Sequence, residues 1–150
     1  MFEAPRHEGC PFCDYLAGKT PCAFVTRGEL VSAFLNRAQY ELGALLLVPN
    51  RHVANILELD EELMLALYVE AQRLAKATID AFGAVGLNMF QNNGVRAGQT
   101  ISHLHIHLVP RYPGSEPARI FREQEYPRTA VSVLEERAAE LRAALARAGG

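Results

Sequence analysis

The sequence predicts an α+β domain: an antiparallel β-sheet meander with one long central helix and a C-terminal helix. Three observations carry the prediction. Short β-prone runs broken by turn residues fill residues 23–50, apolar residues recur at helical spacing from Asp60 to Phe82, and two further β-prone runs precede an alanine-rich tail.

The first runs are "AFVTRG", "LVSAFL" and "ALLLVPN", separated by Gly28 and by the polar "NRAQYE". Close spacing of this kind predicts neighbouring antiparallel strands. From Asp60 to Phe82 the period changes, and Leu63, Leu67, Ala71, Leu74 and Phe82 fall on one stripe. Asp60 suits the N-cap, Glu61 and Glu62 lie at the positive end of the helix, and Gly83 stops it. "GLNMFQ" then reads as a strand, "NNGVRAGQT" as a polar connection, and "SHLHIHLVP" as a second strand ended by Pro110, the two pairing as a hairpin. After an irregular, proline-containing stretch, Ser132 and Glu135 read as a capping box ahead of "RAAELRAALARA", a helix over about 132–148. The 150 residues are read as one domain, with a core at about 10–112 and this helix as a C-terminal extension.

Composition excludes some partners. Fifteen Lys and Arg balance 17 Asp and Glu without a basic run, so no nucleic-acid backbone is expected as a partner. No apolar run spans a bilayer, so no membrane is expected either. The N-terminal "MFEAPRHEGCPFCD" lacks the apolar core of a signal peptide, and three cysteines do not suit a disulfide scaffold. A reducing, cytoplasmic setting is expected.

"SHLHIHLVP" holds three of the five histidines, at alternate positions. On a strand His103, His105 and His107 share one face, while Leu104, Ile106 and Leu108 share the other. Three imidazoles plus water can form a catalytic zinc site, although such a site usually draws its ligands from more than one element. Structural histidines are the plainer alternative. "CPFC" raises a separate choice, because Cys10 and Cys13 suit either a redox pair or half of a tetrahedral zinc site. Cys22 and His7 suggest no partner, and read as a small hydrophobe and a solvent-exposed residue.

"GQTISHLHIHLVPRY", residues 98–112, resembles the signature of the histidine triad (HIT) superfamily, and "AFLN", "VPNRHV" and "NNG" occur in the order found in bacterial members. The resemblance runs from about Cys10 to Tyr112. It implies that His105 attacks the α-phosphorus of a nucleotide conjugate, such as a nucleoside phosphoramidate or dinucleoside polyphosphate. Water then cleaves the nucleotidyl-histidine and releases AMP or another nucleoside monophosphate. It further implies that Asn92, Gln99, Thr100 and His107 contact the phosphate, with Thr100 and His107 joining His105 in catalysis, and that Asn36 holds the ribose. A strand-ending turn is the ordinary reading of Asn36 taken alone. Cys10, Cys13, His52 and His103 are implied as ligands of a structural zinc, with no organic cofactor. One departure is Gly43-Ala44, where many relatives have Gly-His.

The chemistry agrees with a histidine nucleophile: neutral imidazole attacks through one nitrogen while the other stays protonated and fixes the tautomer. Backbone N–H groups of Gly94 to Gly98 are candidate donors to the phosphate. The resemblance implies a homodimer, for which the sequence offers the central and terminal helices as surfaces. Competing readings are a nucleotide-binding interaction protein with vestigial turnover, and transfer of the nucleotidyl group to an acceptor other than water.

Overall fold

The computed structural model describes residues 2–6, 8–116 and 126–149. Five antiparallel strands form one sheet in the order β1-β2-β3-β5-β4: β1 (Phe24–Arg27), β2 (Val31–Leu35), β3 (Leu45–Pro49), β4 (Gly86–Phe90) and β5 (Ile106–Arg111). Three helices accompany them, α1 (Pro11–Leu16), α2 (Glu61–Phe82) and α3 (Val131–Ala148). The expected α+β meander and hairpin are the observed architecture. Among the described residues no helix is long and apolar enough to cross a membrane.

The sheet is covered on both faces. Ala33 and Leu35 of β2, Leu45 and Leu47 of β3, and Ile106 and Leu108 of β5 join Leu67 and Leu74 of α2 and Leu134 and Leu141 of α3 in the main core. The alternate residues Phe34, Leu46 and Val48 point to the other face, where Phe12 of α1 packs on them. Double coverage explains why every residue of β2 and β3 is buried rather than every second one.

Helix α2 has the expected ends. Asp60 Oδ1 accepts from the Leu63 N–H at 2.9 Å, and Gly83 adopts φ 67°, the left-handed conformation that favours glycine at a helix stop. Three expectations need correction. Strand β5 starts at Ile106 rather than Ser102, because the Leu104 N–H bonds the Val53 carbonyl at 2.6 Å and the chain at 103–105 follows the loop after β3. Pro110 lies within β5 and does not end it; β3 runs beside β5 only as far as Leu108, so β4 alone pairs there and a residue without N–H is accommodated. Helix α3 starts at Val131 with Ala130 as N-cap and no side-chain cap, so Ser132 and Glu135 form no capping box. The Thr129 N–H is tied to the Arg37 carbonyl at 2.8 Å, and this tether sets the helix start. The proline-containing stretch is described to Glu116 and again from Tyr126; residues 117–125, like His7, lie outside the described residues.

Candidate active site and metal centre

Helix α1 places the first two chemical groups. Cys10 is its N-cap and Pro11 opens it, so Cys10 and Cys13 sit one turn apart, with the Cys13 N–H on Cys10 Sγ at 3.4 Å. His52 comes from the loop after β3 and His103 from the chain entering β5. His103 Nδ1 lies 3.3 Å from Cys10 Sγ and 3.5 Å from Cys13 Sγ, while His52 Nδ1 lies 3.4 Å from Cys13 Sγ. All four donor atoms fall within 4.8 Å of one another.

This donor set fits zinc. With Zn–S of about 2.3 Å and Zn–N of about 2.0–2.1 Å, the S···N edge of a tetrahedron is about 3.6 Å, close to the observed separations. The fully buried His103 donates Nε2–H to the Pro49 carbonyl at 2.9 Å, which leaves the Nδ1 lone pair facing the sulfurs. Burial lowers the His103 pKa to about 4, with the nearby His52 and His105 acting in the same sense, so the imidazole is the neutral form a metal requires. The setting argues against a redox pair. Among the described residues "CPFC" opens a helix with no strand before it, unlike the βαβ setting of a thiol redox motif. Cys22 packs as a small hydrophobe in the Phe12 cluster, and burial pushes its thiol up to about 12.

The next two imidazoles lie beside this centre. His105 is 4% exposed and donates Nδ1–H to the His103 carbonyl at 2.8 Å, which fixes the tautomer with its lone pair on Nε2. The Phe12 ring meets it edge-on at 5.2 Å, and the His107 ring lies 4.9 Å away. His107, also 4% exposed, stacks on Phe90 at 4.4 Å and 6°, with Tyr40 at 6.1 Å. Burial lowers its pKa to about 3, and its Nδ1 is buried without a hydrogen-bond partner. Phe12, Tyr40 and Phe90 are not singled out by the sequence, where an aromatic among β-prone residues reads as core.

The connection before the triad is tightly self-bonded. Gln99 is 3% exposed; its Nε2 donates to the Ala54 and Ile101 carbonyls at 2.6 and 2.9 Å, and its Oε1 accepts from the Gly94 N–H at 2.7 Å. The N–H groups of Gly94, Val95, Ala97 and Gly98 all have partners within the chain, which corrects for these four the expectation of donors to a phosphate. Asn92 Nδ2 reaches the Gly98 carbonyl at 3.3 Å, and Thr100 is exposed.

Asn36 leaves β2 buried, and its Oδ1 accepts from the Ala38 N–H at 3.0 Å, the turn its residue type suggests. It borders a cavity of about 130 Å³ lined by Phe12, Tyr15, Phe34 and Ile101 and by the polar Arg37 and Arg128 among others. Asn92, Gln99, Thr100, His105 and His107 do not line this cavity; Phe12 stands between it and His105.

Fold and site together define a class: a five-stranded antiparallel α+β domain with two buried histidines next to four Cys and His donors that join a short N-terminal helix to the sheet. The chain belongs to the HIT domain family, whose model matches residues 17–114, more than half of it. It is 40% identical over 105 residues to Protein hit of Bacillus subtilis, covering 70% of this chain and 72% of that protein. It is 33% identical over 102 residues to adenosine 5'-monophosphoramidase hnt1 of Schizosaccharomyces pombe, covering 68% and 74%. A zinc-bound histidine triad family protein from Mycobacterium smegmatis superposes with a TM-score of 0.82 at 28% identity, over 94% of this chain and 96% of that one. That zinc-bound relative and the four convergent donors of this chain support zinc as a structural cofactor here.

Proposed function

We propose that this protein is a nucleotide hydrolase that cleaves at the α-phosphate of nucleotide conjugates through a covalent nucleotidyl-His105. The observation that carries the reading is the His105 tautomer: Nδ1–H is held by the His103 carbonyl, so Nε2 is the nitrogen with a lone pair to offer. The phosphoramidase activity named for the fission yeast relative supports the substrate class. His105 Nε2 forms a bond to phosphorus as the bond to the leaving group breaks, and the leaving group takes a proton from solvent water; the water that later attacks phosphorus returns one. Water then attacks phosphorus, the P–N bond breaks, and a nucleoside monophosphate leaves.

The neighbouring groups take roles that follow from their bonding. His107, held neutral by burial, keeps one N–H to donate to a non-bridging oxygen. The exposed Thr100 hydroxyl and the Asn92 amide are the donors toward the leaving group. Gln99 has both amide hydrogens on carbonyls, so it acts by bracing the connection and not by touching phosphate. Asn36 and the cavity of about 130 Å³ that it borders receive the nucleoside. The Cys10, Cys13, His52 and His103 site would hold zinc, which supplies a cross-link between α1 and the sheet and takes no part in the chemistry.

A homodimer is supported by exposed apolar residues. Leu65, Tyr68 and Val69 lie on one face of α2, and Met89 lies on β4, an end strand of the sheet. A centre of two thiolates needs reduced cysteines, which suits the cytoplasm.

Steady-state assay of adenosine phosphoramidate, diadenosine polyphosphates and their guanosine counterparts tests the function. The reading expects turnover of at least one class and a loss of at least about a thousandfold in kcat for His105→Ala, with nucleotide binding retained. Binding of nucleotides with no turnover of any conjugate would leave an interaction protein instead.

A further inference from the structure

The C-terminal helix lies outside residues 17–114, yet it closes one side of the cavity beside Asn36. Arg128 on the approach to α3, and Val131 and Leu134 in its first turns, line the space together with Phe12 and Phe34. The approach is fixed to the strand-end turn that carries Asn36: Ala38 bridges Arg128, and the Thr129 N–H bonds the Arg37 carbonyl at 2.8 Å.

A second link runs through Gln39. Its Nε2 donates to the Asn36 and Ala44 carbonyls, both at 2.7 Å, and its Oε1 accepts from the Gly43 N–H at 3.0 Å. Arg137 of α3 donates Nη1–H to the same Oε1 at 2.9 Å. Three of the four hydrogen bonds of this half-buried amide close the turn between β2 and β3, and the helix supplies the fourth.

We propose that α3 is a working part of the nucleoside site: Val131 and Leu134 form the wall that limits which base enters, and Arg137, acting through Gln39, is a positioning residue for Asn36. The proposal rests on the reading of Asn36 and the cavity as the nucleoside site. Val131 is half-buried at the cavity wall, so a change in its size changes the space left for a base. Arg137 touches no ligand. Its loss frees the turn, so a weaker hold on the ribose should raise KM while the distance from His105 leaves kcat nearly unchanged.

The test measures affinity for AMP, GMP and CMP by calorimetry, and steady-state kinetics with adenosine phosphoramidate, on the full chain. Val131→Phe should weaken AMP and GMP at least tenfold and CMP less, and Val131→Ala should change the AMP-to-CMP affinity ratio at least threefold. Arg137→Ala should raise KM about fivefold with kcat within twofold, and Arg137→Lys, which keeps a donor for Gln39, should restore most of it. Arg147→Ala, which removes only the exposed pair with Asp80 at the far end of α3, should match wild type. Folding of each variant is checked by thermal melting, and Val131→Ala carries the test if the larger side chain prevents folding. Affinities for all three nucleotides within twofold of wild type in both Val131 variants would overturn the proposal. Wild-type protein that binds none of the three would overturn the site reading and this inference with it.

Discussion

Three histidines of one residue type, spaced by two, have three environments set by what each nitrogen meets. His103 gives Nε2–H to Pro49 and presents Nδ1 to two sulfurs; its carbonyl, in turn, holds His105 Nδ1. One residue thus joins the metal centre to the proposed nucleophile by a single backbone step. His107 has no such partner on Nδ1 and stacks on Phe90. Its pKa is lowered from 6.5 to about 3, so the folded state prefers the neutral ring. The stability this contributes is fully present above pH 6.5. It falls with pH below that value, because the unfolded chain takes up the proton first. Between pH 7 and pH 5 the effect is about 2 kcal/mol. Urea unfolding at the two pH values should show wild type losing that much more stability than His107→Gln; equal losses would mean that His107 is not buried neutral.

At the scale of elements, legibility followed local signals. Helix α2 was readable at both ends because Asp60 and Gly83 act within one turn of the helix they bound. Helix α1 was not, since six residues cannot display an amphipathic period and its bonds run to distant partners. Ser132 and Glu135 offer a local cap for α3, whereas the Thr129–Arg37 bond, between residues 92 apart in sequence, accompanies a start at Val131. The four metal donors were found through their family resemblance to a zinc site; the part Gln39 and Gln99 play in bracing turns was invisible, because an amide's partners are known only once the chain is folded. Helix α1 is therefore expected to depend on metal. Cys10→Ser and Cys13→Ser should lower zinc content from about one per chain and thermal stability together, since structural zinc contributes on the order of 10 kcal/mol in small zinc peptides. Metal-free wild-type protein of undiminished stability, carrying a reversible Cys10–Cys13 disulfide, would revive the redox reading.

Across the whole molecule the two faces of the sheet divide the work. One buries Leu67, Leu74, Leu134 and Leu141 of α2 and α3 and supplies the main core; the other carries Phe12, Phe34 and the imidazoles. The helix read from sequence as a C-terminal extension belongs to that same core, with Ala138 and Leu141 fully buried. The N-terminal metal centre meets His105 through the His103 carbonyl and the Phe12 ring. The central claim is that His105 becomes covalently attached to the nucleotide, and rapid acid-free quenching of wild-type protein with labelled adenosine phosphoramidate, followed by peptide mapping, tests it directly. The account predicts an acid-labile nucleotidyl group on the peptide bearing His105, absent from His105→Ala; turnover retained in His105→Ala, or lost on chelation before any unfolding, would contradict it and return the chemistry to a metal.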